Sequence, residues 1–280
     1  MIDLKQALRI LARLQDAAPP TTASRLSDVI ALVQSLGETH NNGNGGGGVA
    51  PAAPHVLIDQ GTPHLLTLFG QIESQVSALR AGRLGRMTTE QADALKLVLD
   101  YANSGAGFTR RMYDLERLRT ATFYTTPTRF SPLDVAAEVW QRTSPYADAR
   151  DHDFTILADN PLPTAYGDIE RVADILAAMV DNAIRYMPFG GEVRLTINSL
   201  GEQVLFNVAD SGIGLSEDDH LHVGEPFWRA LHQPLVKGHP GTGLSLALAR
   251  QVLTVMGGEL IFSGEPGVGS TFSFTVPVYE

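Results

Sequence analysis

The sequence predicts an α+β protein. An N-terminal helical half forms a hairpin that pairs into a dimeric four-helix bundle, and a C-terminal α/β sandwich follows. Three observations carry this. Apolar residues recur every three or four positions up to about Leu118. A glycine- and asparagine-rich run interrupts them between residues 41 and 48. Beyond Pro127 the texture changes to short apolar strands alternating with helices.

The bulk numbers narrow the class. At 280 residues there is room for one large domain or two modest ones, and 44% hydrophobic residues supply a core. A formal charge of −10 argues against a nucleic-acid surface, which needs clustered Lys and Arg. The absence of cysteine excludes disulfides and thiolate metal sites and fits a reducing compartment. No apolar run reaches the ~18 residues of a membrane-spanning helix. Met1-Ile2-Asp3 lacks the basic-then-apolar start of a signal peptide. The expectation is a soluble, cytoplasmic protein with no nucleic-acid partner and no membrane span.

Residues 1–40 predict a helical pair. Leu4, Leu8, Leu11 and Leu14 share one face, Pro19-Pro20 stops the first helix, and Leu26, Val29, Ile30 and Val33 line a second. A packing or dimerisation module is the plainer reading, and a sensory role the other. Residues 41–60, with Gly43, Gly45 to Gly48, Pro51 and Pro54, read as a linker. Residues 61–125 predict two long amphipathic helices. Leu68, Phe69, Ile72, Val76 and Leu79 mark the first. Leu95, Val98, Leu99, Ala102, Phe108, Met112, Leu115 and Leu118 mark the second, with Thr88 or Thr89 as its cap and a glycine-containing turn between them. A hairpin alone leaves an apolar stripe uncovered, so a homodimer is expected.

Residues 126–280 form the mixed domain. Thr128–Ser131, Phe154–Leu157, Val193–Ile197 and Val204–Ala209 read as strands, and Glu259–Ser263 with Thr271–Val276 as a closing hairpin. Helices are expected over Pro132–Thr143, with Leu133, Ala136, Ala137 and Trp140 inward, and over Asp168–Tyr186 and Thr242–Met256. Gly264-Glu265-Pro266-Gly267-Val268-Gly269 lacks the Lys-Ser/Thr of a phosphate loop and reads as hairpin geometry.

Four short segments of this domain carry chemistry. Asp210 ends a buried strand, where a carboxylate needs hydrogen-bond donors. An adenine amino group is one such donor, and Gly212 and Gly214 admit a flat ring close to the backbone; a simple chain-reversing turn is the other reading. Asn182 lies inside a helix, where its amide oxygen can complete a magnesium shell made otherwise by phosphates and water. Arg185, one turn from Asp181, either reaches a phosphate or forms a surface ion pair. Gly241-Thr242-Gly243 precedes a helix start, where free N–H groups attract anions, or is an ordinary glycine-rich entry. The segment between Trp228 and Gly241, with His232, Pro234, Lys237, Gly238, His239 and Pro240, suits a lid over phosphates. Lys237 contacts a phosphate there or is solvated. His220 and His222 read as solvated loop residues.

Together these segments resemble the catalytic ATP-binding domain of sensor histidine kinases, within the GHKL ATPase superfold, from about Thr128 to Val278. Asp181-Asn182-Ala183-Ile184-Arg185-Tyr186 is similar to the N box, and Asp210-Ser211-Gly212-Ile213-Gly214 to the G1 box. Pro226-Phe227-Trp228-Arg229 is similar to the F box, and Gly241-Thr242-Gly243-Leu244-Ser245-Leu246 to the G2 box. The resemblance implies a Mg-ATP site. In it Asn182 holds magnesium, Arg185 and Tyr186 line the nucleotide, Asp210 meets adenine, and Gly212, Gly214, Phe227, Lys237, Gly241, Thr242, Gly243 and Leu244 complete the pocket. Ala178 stands where the family usually has a second asparagine and hydrolysing relatives a glutamate, so rapid ATP hydrolysis is not expected.

The hairpin resembles the dimerisation and phosphotransfer domain of the same kinases, but the chemistry departs. Gly70 stands where the phosphoacceptor histidine belongs, Gln71 replaces the adjacent acid and Gln75 the proline. No histidine occurs from Leu65 to Asp151. His64 is the nearest alternative; six residues turn a helix by about 600°, which leaves it roughly 120° from the face of Gly70. Phosphoryl transfer needs an in-line nucleophile, and glycine has no side chain. The expected function is a kinase-like signalling dimer that binds Mg-ATP without conventional histidine autophosphorylation. It would partner a response regulator or another kinase. The alternative is a divergent active kinase acting on an unusual residue or a partner chain. A clamp-type ATPase is the remote third reading.

Overall fold

The structure, a computed structural model, describes residues 54–80, 89–239 and 241–279, with Ser27 as an isolated helical residue. The helical pair expected over residues 1–40, the glycine-rich part of the linker and the turn between the two long helices lie outside the described residues. The chain divides into two compact units between Glu116 and Arg117.

In the first unit, α1 spans Pro54–Arg80, and α2 (Thr89–Arg119) lies there up to Glu116. Helix α1 starts inside the stretch assigned to the linker. Pro54 is tolerated at a helix's first position, where no intrahelical N–H bond is lost, and no glycine follows until Gly61. The helix also runs through Pro63, whose carbonyl accepts the Thr67 hydroxyl at 2.8 Å. Leu68, Ile72, Val76 and Leu79 are buried on α1, and Leu95, Val98 and Ala102 on α2. The two helices meet closely where a β-carbon on Gly105 would lie 2.4 Å from the Phe69 ring. Tyr101 and Phe108 stay 39% exposed, so this unit keeps apolar surface uncovered. Gly70 faces open space, and a β-carbon there meets nothing within 4 Å.

In the second unit, β1 (Thr128–Phe130) pairs antiparallel with β3 (Ala165–Gly167). The main sheet holds β2 (His152–Ala158), β4 (Gly191–Leu200), β5 (Gln203–Asp210), β6 (Leu260–Glu265) and β7 (Gly269–Pro277) in the order β2-β4-β5-β7-β6. Only β2 against β4 is parallel within it. Val193, Leu195 and Ile197 of β4, Val204, Phe206 and Val208 of β5, and Phe274 and Val276 of β7 alternate onto one buried face. Phe206 and Phe274 stack at 4.7 Å. Three helices, α3 (Pro132–Asp148), α4 (Ile169–Arg185) and α7 (Ser245–Val255), supply the rest of that core. Two short helices, α5 (Glu217–His222) and α6 (Pro234–Gly238), lie in the connections between β5 and α7.

Local chemistry sets the ends of these helices. Ser131 caps α3 by accepting from the Asp134 N–H. Asp168 caps α4 by accepting from the Arg171 N–H, while its other oxygen accepts from the Thr126 N–H. The inward face of α3 differs from expectation: Val135, Ala136, Val139, Thr143 and Ala147 are buried, whereas Leu133 and Ala137 point outward. Counting from the Ser131 cap, the stripe through 135/136, 139, 143 and 147 fits the 3.6-residue period. His220 and His222 sit on α5 rather than on a loop. That helix is fixed by a reciprocal capping box between Ser216 and Asp219.

Candidate functional site

The four sequence segments converge at one end of the second unit, where β5, α4 and the α7 entry terminate. Asp210 is the last residue of β5. Its Oδ1 accepts the Gly212 N–H at 2.8 Å, and its Oδ2 accepts the Ser270 hydroxyl at 2.6 Å. Burial pushes the carboxyl above its ordinary value, against the pull of these two partners. The carboxylate is therefore oriented from both sides, with remaining lone pairs free to accept from a further donor.

The turn after Asp210 is shaped by glycine. A β-carbon on Gly212 would lie 2.7 Å from both Asp210 Oδ1 and the Tyr186 carbonyl, and Gly214 is left-handed (φ +69°), with a β-carbon 1.9 Å from the Glu265 carbonyl. The Ile213 N–H donates to the Tyr186 carbonyl at 3.2 Å. This bond ties the turn to the end of α4, where Tyr186 is the C-cap and its N–H donates to the Asn182 carbonyl. Asn182 is half-buried one turn inside that end. Arg185 pairs with Asp181 at 2.5 Å on the exposed side of the helix, the ion pair the sequence spacing allowed.

The α7 entry joins the segment of Phe227. The Phe227 N–H donates to the Gly243 carbonyl at 3.0 Å. Both residues are left-handed, and the Phe227 ring is 60% exposed. Helix α7 starts at Ser245, three residues later than expected, because Gly243 (φ +69°) cannot continue a right-handed helix. Leu244 is fully buried and gives no side-chain cap. The first N–H groups of α7 thus lack the capping that Ser131, Asp168 and Ser216 give α3, α4 and α5.

Between these segments runs the stretch read as a lid, and it is organised. It contains α6 and is gathered by Arg229, whose Nη2 donates to the carbonyls of Val236 and His239, each at 2.6 Å. Gly241 lies against the same guanidinium, with a β-carbon position 3.3 Å from Arg229 Nε. The His239 ring meets Tyr186 edge-on at 6.5 Å. Lys237 is exposed on α6. Gly241 and Thr242 precede the left-handed Gly243.

Sequence reasoning missed three contributors. Ser270, which orients Asp210, lies 60 residues away and is brought in by the β5–β7 register. Arg150, after α3, reaches Met187 and His239. Ser211 donates its hydroxyl toward the Met187 sulfur and accepts the Glu192 N–H, bracing the turn against β4. Ser270 and Arg150 lie in no local motif, and Ser211 lies in the motif of residues 210–214 with no role read from it. A separate concavity of about 410 Å³, lined by Ser131, Leu133, Asp159, Leu162 and neighbours, includes no residue of the four segments.

This unit is a sheet backed by helices, with glycine-cornered turns gathered at one end around a held carboxylate. Residues 167–280 match the family described as histidine kinase-, DNA gyrase B-, and HSP90-like ATPase, and this domain belongs to it. Proteins similar to this chain include adaptive-response sensory kinases and a sensor-like histidine kinase. The chain is 34% identical over 120 residues to the adaptive-response sensory kinase SasA of Crocosphaera subtropica, covering 42% of this chain and 31% of that one. The chain spans between 30% and 49% of the length of the curated relatives it matches. Full-length ShkA in complex with AMPPNP shares the fold, with a TM-score of 0.64 and 23% identity over 80% of this chain and 45% of that one. Histidine kinase ThkA in complex with the response regulator protein TrrA does so with a TM-score of 0.51 and 18% identity over 80% of this chain and 60% of that one.

Proposed function

We propose that the second unit binds Mg-ATP and that the chain is a histidine-kinase-like signalling protein without conventional histidine autophosphorylation. The carrying observation is Asp210, held by Ser270 and Gly212 in a turn that glycine alone fits. A carboxylate so fixed is suited to accept from the adenine amino group. The residues fit the nucleotide. Gly212, Gly214 and Gly243 occupy places where a β-carbon collides, and the start of α7 leaves N–H groups uncapped beside Gly241, Thr242, Gly243 and Leu244. Asn182 would complete the magnesium shell, with Tyr186 and Phe227 bordering the nucleotide. Arg185 and Lys237 would approach phosphates, Arg185 after release from Asp181. Bound magnesium would neutralise phosphate charge; the chain's own residues orient and enclose the nucleotide.

The regulatory reading rests on the α1 sequence. Gly70 offers no nucleophile and faces open space, while Gln71 offers no base. The hairpin of residues 61–125 would act as a dimerisation module, supported by the uncovered Tyr101 and Phe108, and residues 126–280 as the ATP-binding domain. The N-terminal pair (residues 1–40) and the linker that follows would precede them. A response regulator, as in the ThkA–TrrA complex, or another kinase is the proposed partner, in the cytoplasm. Among the described residues no helix is long and apolar enough to cross a membrane. Incubation with labelled Mg-ATP tests the reading: nucleotide binding with no phosphate retained by the chain is expected. A stoichiometric phosphohistidine, on His64 or elsewhere, would instead establish a divergent active kinase.

A further inference from the structure

We infer that Arg150 and His239 form a clasp that holds the lid closed against the end of α4, and that adding a proton to His239 releases it. The inference deepens the nucleotide-binding reading and rests on it for its functional consequence. Arg150 lies in the turn between α3 and β2, outside residues 167–280. Its Nη1 faces His239 Nε2 at 3.4 Å, its Nη2 donates to the Met187 carbonyl at 3.4 Å, and its guanidinium carbon sits 5.5 Å from the Phe189 ring centre. Its Nε is buried with no hydrogen-bond partner.

The proton on His239 follows from its partners. His239 Nδ1 is 2.8 Å from the Leu235 carbonyl oxygen, which can only accept, so Nδ1 carries hydrogen. In the neutral ring Nε2 is then a lone-pair acceptor, and the guanidinium facing it can only donate. The contact therefore requires neutral imidazole. A second proton turns Nε2 into a donor aimed at a cation. The charged and titratable groups around the ring are Arg150, Arg229 at the His239 carbonyl, Tyr186 at the ring edge, and Lys237 in the same segment. Among the described residues no hydrogen bond or ion pair joins a carboxylate to His239. Arg150 and His239 are positioning residues, acting on nucleotide through the lid.

The test uses the full chain with magnesium and a fluorescent N-methylanthraniloyl ATP, following dissociation by stopped flow between about pH 5 and 8, the range in which histidine titrates. The parent should release nucleotide about threefold or more faster at the acid end. His239→Gln should make that acid-end acceleration smaller than in the parent. Arg150→Ala should release fast across the range, and Arg150→Lys in between. A parent-like rate and slope in Arg150→Ala overturns the clasp. Hydrogen exchange of residues 234–239 without nucleotide supplies a second readout at one pH. Faster exchange in Arg150→Ala than in the parent supports the clasp, and equal exchange overturns it. If the parent binds no analogue, the nucleotide reading fails, and the exchange comparison alone decides the clasp.

Discussion

The Phe227 N–H donates to the carbonyl of Gly243 across 3.0 Å, and both residues hold left-handed backbone, φ 67° and 69°. Two segments sixteen positions apart are thereby joined at the entry of α7, with the lid looped out between them. A non-glycine residue in this conformation is uncommon, and Phe227 keeps it although its ring is largely exposed. The junction thus fixes where the lid starts and where it returns.

Gly243→Ala should break this junction. The added methyl would sit 2.5 Å from the Trp228 carbonyl oxygen and 2.7 Å from the Phe227 carbonyl carbon, both backbone atoms. The left-handed conformation alone costs an alanine about 1–2 kcal/mol. The expected outcome is a lower Tm by differential scanning calorimetry and roughly tenfold or greater loss of ATP affinity. An unchanged Tm and affinity would contradict the role given to this turn.

Asp210→Asn should separate stability from binding. Burial raises the Asp210 carboxyl from its ordinary value of 3.8, with Ser270 and Gly212 opposing. The folded state therefore holds this proton more tightly than the unfolded one. The resulting stability is fully present below the unfolded value and is lost as pH rises through the folded value. Asparagine can accept from Gly212 and donate to Ser270 without carrying charge. The Tm of the nucleotide-free variant should therefore gain on the parent as pH rises from about 4 to about 7. A difference that stays flat or shrinks with pH would count against a carboxyl held up by burial.

Much of this was legible in the sequence, for identifiable reasons. Val193–Ile197 and Val204–Ala209 read as strands because one buried face imposes alternation, and the structure extends both at each end, to Gly191–Leu200 and Gln203–Asp210. Segments whose chemistry is local, such as Asp210 with Gly212, were visible as motifs. Strand β3 was not: three residues near Pro161 and Pro163 carry no period. Ser270 and Arg150 were invisible because strand register and a helix-end turn bring them in from 60 and 89 positions away, respectively, relative to Asp210 and His239. Two helices run through prolines: α1 through Pro63, and α3 through Pro145, beyond the expected end at Thr143.

Asn182→Ala should act on the metal more than on the base. Removing one amide oxygen from a magnesium shell is expected to weaken Mg-ATP binding roughly tenfold, about 1.4 kcal/mol, and to leave metal-free nucleotide binding nearly unchanged. Titrations with and without magnesium check this. An equal loss in both would place Asn182 elsewhere in the site.

The hairpin should associate. Tyr101 and Phe108 are exposed on α2, beside the buried Leu95, Val98 and Ala102, and pairing two hairpins would cover them. Sedimentation at micromolar concentration should give a two-chain mass, and Phe108→Glu should shift it toward one chain. A single-chain mass for the parent would remove the dimer from the account.

The most direct measurement is calorimetric titration of Mg-ATP into the parent and into Asp210→Asn at neutral pH. The expected result is one site per chain in the parent. The variant should lose the charge-assisted bond to adenine, about 1.5–3 kcal/mol or roughly 10- to 150-fold in affinity. Equal affinity in the two proteins, or no heat of binding in the parent, would contradict a nucleotide site built around Asp210.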